Sequence, residues 1–212
     1  MKIVFAIAAL ILTSSLASAA LLTVNCSVVS SPTELNANIV CPQFSGGGLT
    51  SVQISVSGGI TGSITLTNNA STSQTVTGTT SSAFSIGALA GFTIVNPIFS
   101  ASYTTGPQSL TAGQSKTFAG LSGTGSDNLG TDTTVLAPYT GAGTFNIAVS
   151  TLTALAVSGG GGQVASAQST SANGTATVTY NSAMTGVPEP GTLAMIGLGI
   201  LGLAFISRRL TA

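Results

Sequence analysis

Apolar residues alternate with serine and threonine along much of this sequence, and this period of two constrains the fold more than any other feature. Val52, Ile54 and Val56 are separated by polar residues, and the same alternation returns in 145–149 and 176–180. Successive side chains of a β-strand point to opposite faces, so such segments bury one face and leave the other in water. The pattern therefore predicts half-buried strands.

Clusters of glycine, asparagine and serine separate these segments and predict frequent turns. We expect strands near 21–29, 36–43, 49–57, 60–67, 73–86, 92–103, 115–121, 143–157 and 174–182. The stretch 122–133 has no period and should form a loop. Many short strands without a convincing amphipathic helix predict an all-β fold, a single antiparallel β-sandwich.

The first 19 residues have the organisation of a secretory signal peptide. Lys2 precedes an apolar run, and Ala17-Ser18-Ala19 matches a cleavage site of the A-x-A type. We therefore assign 1–19 to a signal peptide and 20–186 to the β-sandwich domain.

Two cysteines, Cys26 and Cys41, follow the predicted signal peptide. In an exported protein such a pair predicts one disulfide, which would stabilise the fold by about 3 kcal/mol in the chain-entropy account. We expect the bond to close a hairpin whose turn lies at Ser31-Pro32-Thr33. Two unbonded structural thiols are the alternative.

The predicted domain is almost uncharged and lacks the residues that most enzymes use. Its charged residues are Glu34, Lys116, Asp127 and Asp132, and the chain has no histidine. The commonest general base and metal ligand is therefore missing. Because no basic patch is present, we expect no nucleic-acid partner. We also expect no catalytic residue, no cofactor and no enzymatic activity.

Asp127 and Asp132 are the candidates for a metal site. In the predicted loop 122–133, two carboxylates could hold Ca²⁺ together with backbone carbonyls. Their spacing does not match a calcium-binding EF-hand loop, and we interpret this stretch as a solvated loop without a metal.

The segment 187–209 combines a Pro-Glu-Pro triplet, an uncharged apolar run and two arginines. The prolines oppose helix formation, so the triplet should be an extended and accessible peptide. The apolar run 191–207 would span about 25 Å as a helix, slightly short of a hydrocarbon core of about 30 Å. The arginines would hold the C-terminus on the cytoplasmic side.

This tail resembles the PEP-CTERM sorting signal of Gram-negative bacterial surface proteins, which has a VPEP motif, a short helix rich in leucine and glycine, and terminal arginines. The resemblance implies processing near the motif by an exosortase, a membrane enzyme with a catalytic cysteine. The residues that match the sorting motif are Pro188, Glu189, Pro190, Arg208 and Arg209. A plain C-terminal membrane anchor is the alternative, and it would not explain the triplet.

Several phrases of the body resemble the choice-of-anchor E domain, which precedes surface-anchoring tails. They are LTSVQISVSGGITGSITLTNNA at 49–70, LTAGQSKTFAGLSG at 110–123 and TATVTY at 175–180. The resemblance runs over about 41–182 and implies an extracytoplasmic, β-rich domain without an activity that particular residues would carry.

These features together predict an exported, non-catalytic protein. We expect it to be transiently anchored in the inner membrane through its C-terminal helix, and then to lie at the cell surface or in the extracellular matrix of a Gram-negative bacterium. The expected partners are an exosortase-type processing enzyme and the membrane. The alternative is a polysaccharide-binding or adhesion module, whose partner would be an extracellular polysaccharide.

Overall fold

The computed structural model of this chain describes residues 19–183. Over this range the alternating sequence forms nine strands and two short 3-10 turns, at Ala137–Tyr139 and Gly160–Gly162. The strands are β1 (Ala19–Pro32), β2 (Asn36–Pro42), β3 (Leu49–Asn68), β4 (Gln74–Ile86), β5 (Phe99–Thr104), β6 (Gln108–Leu110), β7 (Ser115–Asp132), β8 (Thr144–Gly159) and β9 (Val164–Ala183). The five predicted sorting residues and positions 1–18 of the predicted signal peptide lie outside the described residues.

The strands form two antiparallel sheets that pack face to face, which confirms the predicted all-β sandwich. The four-stranded sheet has the order β1-β9-β3-β7, and the five-stranded sheet has the order β2-β8-β4-β5 with β6 paired to β4. Between residues 19 and 183, no helix is long and apolar enough to cross a membrane.

The core lies between the sheets and follows the period of two. Along β3, Val52, Ile54 and Val56 are buried, and the residues between them are exposed or half-buried. The phenol of Tyr180 is buried as well, and it donates a hydrogen bond to the carbonyl oxygen of Pro42 at 2.6 Å. Tyr139 packs edge-on against Phe145, with 5.0 Å between the ring centroids. Aromatic rings therefore pack among the aliphatic side chains that make up most of the interior.

Strand β3 corrects the prediction of two strands at 49–57 and 60–67. The Gly58-Gly59 pair is extended, and the strand runs through it. A Cβ at Gly58 would lie 2.6 Å from the ring of Phe84, so glycine is needed here for close packing rather than for a turn. A glycine pair inside an alternating segment thus marks a close approach of the two sheets.

Strand β7 shows that the predicted loop at 122–133 is wrong. Its outward residues Ser122, Thr124 and Ser126 are exposed, and the residues between them face inward. Two of those inward residues, Gly123 and Gly125, have no side chain, which hid the alternation from a reading based on apolar residues. A Cβ at Gly125 would lie 2.5 Å from the ring of Phe99, so the inner sheet surface has no space for one.

The disulfide is confirmed, but the predicted hairpin around it is wrong. Cys26 lies on β1 of the four-stranded sheet, whereas Cys41 lies on β2 of the five-stranded sheet. The Cα atoms of the two cysteines are 5.4 Å apart. The chain crosses between the sheets after Pro32, so the bond ties the two layers of the sandwich together instead of closing one pair of strands.

Three further boundaries differ from the predictions. Strand β5 begins at Phe99 rather than near 92, because the preceding loop is held by Asn96, whose side chain bonds both the backbone N–H and the carbonyl oxygen of Ile86 at 3.0 and 2.8 Å. Strand β9 begins at Val164, ten residues before the expected start at 174. The short strand β6 was not predicted.

Candidate functional site

The outer surface of the four-stranded sheet carries the most distinctive chemistry of the described residues. We call it the hydroxyl face, because serine and threonine dominate its outward positions, with asparagine and glutamine among them. It comprises Thr23, Asn25 and Ser27 on β1; Asn173, Thr175, Thr177 and Thr179 on β9; Gln53, Ser55, Ser57, Gly59, Thr61, Ser63, Thr65 and Thr67 on β3; and Ser115, Thr117, Ser122, Thr124, Ser126 and Asn128 on β7. None of these residues is charged.

Hydrogen bonds between strands fix many of these side chains. The hydroxyl oxygens of Ser57 and Thr175 are 2.6 Å apart, and those of Thr65 and Thr117 are 2.9 Å apart. The hydroxyl group of Thr177 donates to the side-chain oxygen of Asn25 at 2.9 Å. Such pairs hold β-branched side chains in defined rotamers, so the face presents a preorganised array of donors and acceptors.

A shallow groove of about 550 Å³ crosses this face at Gly59. Because Gly59 has no side chain, Ser57 and Thr61 on the same strand rise on either side of it. Asn173 forms one wall, and its side-chain oxygen accepts a hydrogen bond from the Gly59 N–H at 2.9 Å. Thr124 on β7 stands on the opposite side. The groove is therefore walled by hydroxyl and amide groups.

The chemistry of the groove limits the ligands that it can hold. Its walls offer neutral hydrogen-bond donors and acceptors and no charge to attract an ion. Its lining includes no aromatic residue on which a sugar ring could stack. The groove is open rather than an enclosed pocket, so a ligand there would meet neutral hydrogen-bonding groups along one side only.

Asp127 and Asp132, the candidates for a calcium site, are not brought together. Both lie on β7, where Asp127 is opposite Val56 and Asp132 is opposite Val52. Four strand positions therefore separate them, which places their backbones roughly 13 Å apart. In the part of the chain that the structure describes, no three histidine, cysteine, aspartate or glutamate residues cluster as metal ligands.

The Asp132 carboxylate has a structural role at the end of β7. It accepts hydrogen bonds from the backbone N–H of Thr134, from the hydroxyl group of Thr134 and from the backbone N–H of Val135, at 2.9, 2.8 and 2.9 Å. These bonds, above all the one from the Thr134 backbone, lower the pKa of the Asp132 carboxyl below its usual value of 3.8, against the opposing effect of burial. The ionised carboxylate thus organises the turn after β7.

The sequence interpretation missed the groove, although the signal was present. Gly59 falls between the strands predicted at 49–57 and 60–67, and Thr124 and Ser126 fall in the predicted loop 122–133. Once 49–68 is taken as one strand, its odd-numbered residues fall on one face and are almost all serine, threonine or glutamine. Asn173 also escapes the prediction, because it lies one residue before the strand predicted at 174–182.

Comparison with known proteins gives one match of clear meaning. Residues 186–209 match the PEP-CTERM protein-sorting motif, a range that contains Pro188, Glu189, Pro190, Arg208 and Arg209. This motif indicates an exported protein that associates with the membrane at its C-terminus and is processed by an exosortase. No curated protein matches the sequence.

Solved structures give only weak similarities. A chain in the structure of infectious bursal disease virus Gx strain is 14% identical to this chain, with a TM-score of 0.16. The match covers 78% of this chain and 42% of the viral chain. The Gt strain is 13% identical, with a TM-score of 0.18 over 84% of this chain and 47% of that one. The parasporin-2 toxin of Bacillus thuringiensis is 14% identical, with a TM-score of 0.17 over 79% and 72% of the two chains.

This chain therefore spans less than half the length of the viral chains that it matches. All three TM-scores are so low that these structures carry no argument about its fold or its function.

Proposed function

We propose that this protein is a non-catalytic component of the cell surface or extracellular matrix, delivered and processed through its C-terminal sorting motif. The observation that carries the proposal is the match at 186–209, which includes the Pro-Glu-Pro triplet that a plain membrane anchor would not need. The described domain supports it, because Glu34, Asp127 and Asp132 each accept a hydrogen bond from a nearby backbone N–H, and its cysteines are bonded to each other.

In this proposal the β-sandwich is the delivered part and the tail is the signal for its delivery. The tail passes through the inner membrane, the exosortase acts near Pro188–Pro190, and the sandwich remains outside. A domain with almost no charge has little electrostatic repulsion between copies, which suits a protein embedded in a matrix. The resemblance of 41–182 to the choice-of-anchor E domain agrees with this role and stays a prediction.

The test is the mass and location of the exported protein in its host. We expect deletion of the exosortase to leave a heavier C-terminus and to retain the protein at the membrane. The double variant Pro188→Ala/Pro190→Ala should act in the same way, whereas Thr185→Ala, just outside the matched range, should be processed normally. Identical intact mass and location with and without the exosortase would contradict the proposal.

A second candidate function is binding of an extracellular polysaccharide at the hydroxyl face. The observation that favours it is the groove at Gly59, whose walls are uncharged hydrogen-bonding groups. A polysaccharide strand lying along β3 would exchange its hydroxyl hydrogen bonds with water for hydrogen bonds with a fixed array.

Equilibrium binding of the host's own extracellular polysaccharide tests this second function. Thr124→Arg would place a bulky side chain in the groove, and we expect it to weaken binding at least roughly tenfold, which corresponds to about 1.4 kcal/mol. Ser81→Arg adds the same group at an exposed position of the other sheet and should leave binding unchanged. Equal affinities of the two variants would exclude the groove as the binding site.

A further inference from the structure

In the part of the chain that the structure describes, the second half of β8 has one unpaired edge. Strand β8 pairs with β4 over 149–159, but its pairing with β2 on the other side covers only 144–150. Among residues 19–183, no strand continues β2 along 152–159. A free strand edge is a row of backbone donors and acceptors ready to pair with another strand.

The contacts of two residues show which backbone groups face this edge. The N–H of Thr151 donates to the carbonyl oxygen of Leu35 at 3.0 Å, and the N–H of Thr153 donates to the Glu34 side chain at 2.9 Å. Backbone groups of alternate residues in a strand point to the same side. The N–H and C=O groups of Leu155 and Val157 therefore point to the free edge, whereas those of Ala154 and Ala156 point towards β4.

The side chains along this edge offer no protection against strand pairing. Natural edges are commonly protected by lysine, proline or a bulge, and the run TLTALAVS at 151–158 contains none of the charged residues and no proline. Ala154 and Ala156 are exposed, and Leu155 and Val157 are half-buried against the core. Leu152 is 72% exposed. Glu34 protects only the start of the edge.

We propose that this edge pairs with the same edge of a second copy of the chain, antiparallel and symmetric about Ala156. In that register Leu155 is opposite Val157 of the second copy, and Val157 is opposite its Leu155. Each of these two pairs exchanges both backbone hydrogen bonds, so all free groups of Leu155 and Val157 are satisfied. Ala156 lies directly opposite Ala156, and the Glu34 contact with Thr153 stays intact.

A second copy fits this edge better than a partner of other chemistry. The edge is self-complementary, because a two-fold axis brings its two free residues opposite each other. Pairing covers the half-buried side chains of Leu155 and Val157 at the opening of the core. No charged residue lies between 151 and 158 on either copy, so no like charges meet. Small alanine side chains let the two outer surfaces continue as one sheet.

Charged substitutions at position 156 test the proposed pairing of two β8 edges, using the protein as its host exports it. We expect wild-type mass in sedimentation to rise with concentration towards a dimer. Ala156→Lys should weaken association at least roughly tenfold, because it sets two like charges directly opposite each other. Ala156→Glu should do the same. An equimolar mixture of the two variants should associate again, because opposite charges then meet across the axis.

Ser150→Lys is the matched control, since Ser150 is exposed on the same face of β8 where β2 already covers the edge. Its association should equal that of the wild type.

Hydrogen exchange gives an independent measurement: the Leu155 and Val157 amides should gain protection as concentration rises, while the Ala154 and Ala156 amides are protected throughout. A protein that stays monomeric, or a mixture of variants that does not associate, would overturn the proposal. So would protection of Leu155 and Val157 that is independent of concentration, because another segment would then cover the edge.

Discussion

The hydroxyl face and one patch on the outer side of the five-stranded sheet carry different small residues, and those residues interact differently. On the hydroxyl face, side chains on neighbouring strands bond to each other, as in the pairs Ser57–Thr175 and Thr65–Thr117. The outer face of the five-stranded sheet has an alanine-rich patch, which we call the alanine face. It comprises Ala83, Ala148, Leu152, Ala154 and Ala156. Its methyl groups make no hydrogen bonds.

The two surfaces are therefore suited to different kinds of intermolecular contact. The hydroxyl face offers fixed side-chain donors and acceptors and a groove, so it can bind a ligand along its surface. The alanine face is smooth and ends at the open edge of β8, so it can extend sideways through backbone hydrogen bonds. In the two proposals above, the domain holds a polymer on the hydroxyl face and a second copy at the edge of β8.

The largest expected effect on stability concerns the disulfide between Cys26 and Cys41, which joins the two sheets. The double variant Cys26→Ala/Cys41→Ala should lose about 3 kcal/mol of unfolding free energy, because the closed loop no longer restricts the unfolded chain. Urea unfolding measures this loss. Reduction of the wild type should destabilise it to a similar extent, and a wild type insensitive to reduction would show that the bond is not formed in the exported protein.

A smaller loss is expected where the edge of the hydroxyl face meets the other sheet. At Gly123 on β7, a Cβ would collide with the backbone of Ser102 on β5. Gly123→Ala should therefore cost about 1–3 kcal/mol, since the backbone of an edge strand must shift. Gly47→Ala is the control, because a Cβ there meets nothing within 4 Å. Equal stabilities of the two variants would show that the edges are not in close contact.

The fold class could be predicted from the sequence because alternate residues of a strand face opposite sides, so a half-buried strand shows alternating apolar and polar residues. Val52, Ile54 and Val56 alternate with polar neighbours, and such a segment buries its apolar side only as a strand. The prediction failed where glycine replaced the apolar residue. Gly58, Gly123 and Gly125 face inward against aromatic rings or backbone of the opposite sheet. The need for glycine at these positions depends on that sheet and cannot be inferred from the neighbouring sequence.

The candidate site shows the same division. The polar character of the hydroxyl face was readable from the sequence. Its continuity across four strands depends on pairings between distant residues, such as Thr65 with Thr117, 52 positions apart, and Ser57 with Thr175, 118 positions apart. The bonding of Cys26 to Cys41 was predictable from their number and from export. Their placement on different sheets was not, because it depends on where the chain crosses after Pro32.

Acid should weaken the turn that follows the last strand of the hydroxyl face. The pKa of Asp132 is lowered in the folded protein, so its stabilising effect is complete above its ordinary value of 3.8 and is lost as pH falls through the lower folded value. The melting temperature of the wild type should therefore fall in this acidic range. Asp132→Asn cannot titrate, and its melting temperature should fall less. Parallel curves for the two proteins would contradict the role of the ionised carboxylate.

The smallest expected effect tests whether the hydroxyl pairs of the hydroxyl face contribute to stability. Thr65 and Thr117 share a hydrogen bond of 2.9 Å between β3 and β7. A double-mutant cycle with Thr65→Val and Thr117→Val should give a coupling free energy of about 0.5 kcal/mol, since exposed cross-strand pairs contribute little individually. A cycle with Thr77→Val and Ser158→Ala serves as the control. These two residues are directly opposite on the outer side of the five-stranded sheet, and no hydrogen bond joins their side chains. That cycle should give a coupling near zero. Equal coupling in both cycles would show that the hydroxyl groups are ordered by strand pairing alone and that their hydrogen bonds add no stability.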